Sequence, residues 1–167
     1  MREQRPRPRP GLHEGVILFS VSGFKFAVAA GAVKEIRSME GLQDFTLGAI
    51  SARIEKLRHT LERGGTTYFV VDAARHFHLP PSSPSRVLIL RNSPTAVLVD
   101  STDRMMDIFA LHALPRAFAG EERVWYRGLA VVNGEVVPVV NPGSFLNQTE
   151  QEFLRDALER VRALAAV

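Results

Sequence analysis

Three stretches of the chain share one pattern, in which two short apolar runs flank residues that turn. Residues 16–30, VILFSVSGFKFAVAA, place Ser22-Gly23 between runs rich in β-branched and aromatic residues. Residues 86–100, RVLILRNSPTAVLVD, repeat the arrangement around Asn92, Ser93 and Pro94, and residues 128–140, GLAVVNGEVVPVV, repeat it around Asn133-Gly134. Asn-Gly is a strong hairpin signal because both central positions of a two-residue turn need φ > 0. A further lone strand is predicted at TTYFVVD, residues 66–72. Pro138 cannot donate to a ladder, so its strand is expected at an edge or at a bulge. Short hairpins spread through the chain predict a mainly β fold of barrels or a sandwich. A Rossmann-type layout is not expected, since few helices alternate with the strands.

Helical spacing is expected in two places. Over residues 50–63, Ile50, Ile54, Leu57 and Leu61 recur on one side, and Gly64-Gly65 make a stop. Near the C-terminus, Thr149 and Glu152 match a capping box, followed by an apolar stripe of Phe153, Leu154, Ala157, Leu158, Val161, Leu164 and Ala165. Both stripes are read as faces that pack on the core.

Composition adds little to this picture, but charge refines it. The chain has 167 residues, 46% hydrophobic and 23% charged, enough for a core without disulfides. The absence of cysteine excludes thiolate catalysis and thiolate zinc sites. The formal net charge of +3 is already reached in residues 1–10, where Arg2, Arg5, Arg7 and Arg9 outweigh Glu3, so the rest of the chain sums to zero. A neutral body lacks the basic face that phosphate-backbone binding requires. Phe19, Phe24 and Phe26, with only Lys25 among them, make a poor base-stacking platform. Residues 1–13 are expected to form a disordered Arg/Pro tail, and residues 14–167 a single domain. No apolar run approaches the roughly 18 residues of a spanning helix, and the N-terminus has no apolar core of a signal peptide. A cytoplasmic location is expected.

The search for chemistry finds no phosphate-binding glycine loop and no nucleophile elbow. The sharpest metal candidate is His76-Phe77-His78, with Asp72 four residues before His76 and His59 further upstream. In a strand, His76 and His78 would share a face, but RHFHLPP predicts a turn or short helix, and no third ligand has a diagnostic spacing. Asp100, Asp103 and Asp107 follow an apolar strand and are read as solvated carboxylates. No cofactor, metal site or catalytic residue is assigned. The alternative kept open is a small-molecule- or metal-binding β-barrel, possibly enzymatic, using His76, His78 and Asp72.

In order, the segments resemble the CheW-like domain family over residues 14–165. VILFSVSGFKFAVAAGAVKEIRSM is similar to that family's first hairpin followed by its Val-x-Glu-Ile element, here Val33-Lys34-Glu35-Ile36. YFVVDAARHFHLPP resembles its strand ending in Val-Asp, then a helical turn and Leu-Pro. RVLILRNSPTAVLVDSTDRM and YRGLAVVNGEVVPVVNPGSFL resemble its later hairpins. The resemblance implies two small intertwined five-stranded β-barrel subdomains with short helices and a C-terminal helix, and a groove between them. It also implies a non-catalytic adaptor. Its partners would be the cytoplasmic tip of a chemoreceptor and the regulatory domain of a chemosensory histidine kinase, at receptor arrays on the inner face of the membrane.

The resemblance places Val33, Glu35 and Ile36 in the region of receptor contact. Val33 and Ile36 read equally well as core, whereas a carboxylate such as Glu35 either meets a partner or pairs with an internal arginine. The family's Asn-Leu-Arg-Gly turn falls on Glu62-Arg63-Gly64-Gly65, which displaces its arginine by one position; after Asp72, Arg75 is displaced likewise. Arg63, Gly65, Asp72 and Arg75 therefore complete the expected partner-binding set.

Overall fold

The computed structural model describes residues 13–45 and 53–166. All three hairpins form where the apolar pattern predicts them: β1 (Glu14–Val21) with β2 (Phe24–Ala29), β7 (Arg86–Leu90) with β8 (Thr95–Val99), and β10 (Tyr126–Val132) with β11 (Glu135–Val140). Ser22, Asn92 and Asn133 take positive φ at the turns, as tight hairpins demand. The other strands are β3 (Val33–Arg37), β4 (Gln43–Asp44), β5 (Leu57–Arg63), β6 (Thr66–Asp72) and β9 (Ser101–Ile108). Two one-turn helices, α1 (Ala73–His76) and α2 (Glu122–Trp125), and a long C-terminal helix, α3 (Gln148–Ala165), complete the fold.

The strands make two sheets, ordered β10-β11-β2-β1-β9 and β3-β7-β8-β6-β5-β4. The chain starts in the first sheet, builds the second from residues 33–99, and returns to finish the first, so the two are interwoven. They hold five and six strands rather than five each, and no ladder among the described residues closes either into a ring. Their ends nevertheless approach one another. Just beyond β9, His112 bridges to Leu129 of β10, and Arg63 of β5 reaches across to Glu35 of β3.

Strand alternation distributes the apolar side chains among three cores. Along β1, Ile17, Phe19 and Val21 enter a core shared by both sheets, while Val16 and Leu18 enter one enclosed by the first sheet alone. Along β6, Phe69 and Val71 join the shared core, and Tyr68 and Val70 a third core inside the second sheet. Strands β6 and β8 are thus buried on both faces, which explains their unbroken apolar sequences.

The helix expected over residues 50–63 is replaced from residue 57 onward by strand β5; residues 50–52 lie outside the described residues. Leu57 and Leu61 are both buried, but a bulge between Leu57 and His59 turns them to opposite faces, Leu57 into the shared core and Leu61 into the third. Their four-residue spacing was not a helical stripe. Gly64 and Gly65, at φ 57° and 78°, form the two-residue turn of a β5–β6 hairpin instead of a helix stop, so β6 is not a lone strand. Strand β11 is interior, between β10 and β2, and Pro138 faces Leu129, with a register shift in the same β10–β11 ladder between Tyr126 and Gly128.

Helix α3 starts two residues earlier than the sequence suggests. The capping box is Asn147 with Glu150, each side chain bonding the other's backbone N–H, since asparagine caps as well as threonine. Leu154 and Ala157 are buried and Phe153 and Leu158 pack against the shared core, but the stripe ends there: Leu164 is 78% exposed.

Candidate functional site

The residues expected to meet partners fall into two groups on the second sheet. The first lies along β3, an edge strand of that sheet. A bulge between Val33 and Glu35 sets Lys34 outside the ladder, which reverses the alternation behind it. Val33 is 6% exposed and belongs to the shared core. Glu35 stands opposite Ile89, on the side of the third core, and Ile36 opposite Leu88. Being on an edge, Ile36 has no strand on its other side among the described residues and stays 41% exposed.

Glu35 is clasped by Arg63. Arg63 donates from Nη2 to Oε1 at 2.9 Å and from Nε to Oε2 at 3.3 Å, a two-bond fork that only arginine makes. Arg37 Nε lies 3.9 Å from the same carboxylate. The displaced arginine therefore does have a bidentate partner, and it is internal. The pair spans the gap between β3 and β5. Gly65, at φ 78°, makes the turn that places Arg63 there.

The second group surrounds α1. Asp72 caps this helix, accepting from the Ala74 N–H at 3.0 Å, with Arg75 Nε 3.9 Å away. Arg75 also donates to the Glu55 carbonyl at 2.9 Å. His76 is 5% exposed and sits against Phe77, Trp125 and Phe145. Its Nδ1 lies 3.4 Å from Lys56 Nζ, and Lys56 in turn reaches Glu150 Oε1 at 3.3 Å. An ammonium on Nδ1 assigns the imidazole proton to Nε2, which is buried without a hydrogen-bond partner. Burial pushes the imidazole down to about 3, and the charges of Lys56 and His78 add in the same direction. His78, at φ 55°, points away to an exposed pair with Glu121 at 3.0 Å. Arg75, His76, His78, Lys56, Glu121 and Glu150 border a cleft of about 850 Å³ between α1, α2 and the start of α3, and Asp72 lies outside its lining.

Asp72, His76 and His78 are thus engaged in three different tasks: helix cap, buried neutral ring and surface ion pair. Among the described residues no three His, Asp or Glu side chains are placed to hold a metal ion. His59 pairs with Asp44 at 3.3 Å, at the far end of the second sheet. Of the aspartate trio, Asp100 accepts from the Ser22 N–H at 2.8 Å, Asp107 faces His13 at 3.4 Å, and Asp103 is exposed. No cleft gathers them.

Sequence reasoning missed an apolar surface at one end of the first sheet. Val131 and Val136 face each other across the β10–β11 hairpin and are 58% and 64% exposed. The parallel pairing of Val139 with Ala27 carries Phe24, 55% exposed, to the same end. The signal was present: three large apolar residues beside tight turns, where strands leave the core.

A family model described as CheW-like domain matches residues 15–150. No curated protein matches the chain. Among solved structures, the scaffolding protein TtCheW from Thermoanaerobacter tengcongensis is similar, with a TM-score of 0.67 at 12% sequence identity. The match covers 84% of this chain and 97% of that one, and at such identity it establishes a shared fold.

Proposed function

We propose, from the premise that this chain belongs to the CheW-like domain family, that it is a non-catalytic scaffold of a bacterial chemosensory complex. It couples the cytoplasmic tip of a chemoreceptor to the regulatory domain of a histidine kinase, in the cytoplasm at receptor arrays. TtCheW is itself a scaffolding protein. No helix among the described residues is long and apolar enough to cross a membrane, so a place at the array would come through partners. The barrel description carried by the resemblance also belongs to this reading: each sheet, curled about its own core, acts as one subdomain.

The observation that carries the proposal is the edge strand β3. It offers a backbone edge unpaired among the described residues, an exposed Ile36, and a Glu35 held at a set angle by Arg63 and Arg37. A pre-oriented carboxylate beside an apolar residue suits recognition of a partner helix, because little side-chain entropy remains to be lost on binding. The apolar end formed by Phe24, Val131 and Val136 supports a second contact in the same assembly.

Pull-down with a receptor tip and with a kinase regulatory domain tests this. The wild-type chain should retain at least one of them. Glu35→Arg should weaken capture with little loss of melting temperature, since a pair with side chains 31% and 50% exposed contributes about 0–1 kcal/mol. The exchange Glu35→Arg with Arg63→Glu restores the ion pair in reverse. Capture should remain weak in it; recovery would make Glu35 purely structural. Failure of the wild type to hold either partner would sink the proposal.

A further inference from the structure

A second cleft, of about 560 Å³, lies on another part of the surface, where the bulge of β3, the β7–β8 turn, the start of β6 and α3 meet. Three cations line it: Lys34, Arg91 and Arg155. With them stand Thr66, Tyr68, Asn92 and Ser93, and no carboxylate is among its lining residues. Among the described residues none of the three cations forms an ion pair. The neighbouring carboxylate on β3, Glu35, is already bound by Arg63. Tyr68 lines the cleft although it is only 5% exposed.

Three like charges around one concave space raise its potential and repel one another unless an anion lies between them. The cleft thus gathers three unpaired positive charges in a body whose net charge is zero. A single carboxylate would leave two charges unanswered. A phosphate-class oxyanion carries two or three negative charges and several acceptor oxygens, matching arginine forks, a lysine point charge and hydroxyl donors. The volume lies within the range of small-ligand sites, roughly 300–1,000 Å³.

We infer that this cleft binds a multiply charged phosphate group, free or as an ester, between β3, the β7–β8 turn and α3. Because Lys34 and Arg155 come from different elements, the bound anion would fasten α3 to the strand that carries Glu35. The inference is independent of the partner proposal, since it concerns a small anion and needs no second protein.

Calorimetric titration of the full chain with sodium pyrophosphate, at constant ionic strength, should give one saturable site. Arg91→Gln and Arg155→Gln should each weaken it about tenfold, the effect of losing one charge-assisted hydrogen bond. Arg104→Gln, an exposed cation on β9 outside the cleft, should leave it unchanged. All these proteins keep the four arginines of residues 1–10, so differences among them report the cleft alone. Competition by ATP assigns a soluble phosphate as the ligand, and competition by vesicles containing phosphatidic acid, whose phosphomonoester bears up to two negative charges, a lipid headgroup. Absence of saturable binding, or equal weakening by Arg104→Gln, would overturn the inference.

Discussion

His76 shows how much a single residue's meaning depends on its surroundings. Beside His78 in the sequence it looks like half of a metal site; in the fold it is a neutral ring among aromatics, next to an ammonium. Its pKa is lowered from 6.5 to about 3, so between those values the unfolded chain binds a proton that the folded chain refuses. Stability is therefore complete above pH 6.5 and falls as pH drops toward 3, by up to about 1.4 kcal/mol per pH unit. Urea unfolding midpoints measured across this window should show that slope, and His76→Phe should flatten it. The same slope in the variant would assign the acid sensitivity to other groups. Glu35 followed the opposite course. Its chemistry was legible as a choice between a partner and an internal arginine, and the structure supplies the arginine while leaving the carboxylate partly exposed.

At the scale of elements, turn chemistry was the most legible signal. Ser22-Gly23, Asn92 and Asn133-Gly134 each sit where left-handed backbone is needed, and all three hairpins follow. Gly64-Gly65 belongs to the same class but was outweighed by an apparent apolar period in the preceding residues. Only Leu57 and Leu61 of that period lie in β5, where a bulge sends them into different cores, and a bulge is visible only once the partner strand is in place. Gly128 shows a related close approach. A Cβ there would meet the His112 carbonyl oxygen at 2.5 Å and Leu111 Cγ at 2.8 Å, where the segment after β9 is drawn against β10. Gly128→Ala is expected to cost about 1–3 kcal/mol through forced displacement of that backbone, measurable as a lowered melting temperature. An unchanged melting temperature would mean that the 111–112 segment is free to move aside.

For the whole molecule, the decisive feature is that the shared core draws on both sheets. Ile17, Phe19 and Val28 from the first meet Phe69, Val71 and Leu88 from the second, and Leu154 of α3 enters the same cluster. Neither sheet can lose its structure without exposing apolar surface on the other. Calorimetry should accordingly show one unfolding transition whose van't Hoff and calorimetric enthalpies agree. Two resolved transitions would mean that the sheets are independent folding units.

The sequence by itself determined the mainly β character and the three hairpins with their turns, which depend on neighbours a few residues apart, and also the neutrality of the body and the absence of cysteine chemistry, which follow from composition alone. Its ordered segments also carried the family resemblance. Only the tertiary structure decided that β5 is a strand, that Val33 is core while Ile36 is surface, that Arg63 holds Glu35, and that Lys34, Arg91 and Arg155 line one cleft. These facts rest on bulges and on strands distant in the chain, and no local pattern encodes which residues a curled sheet will bring together.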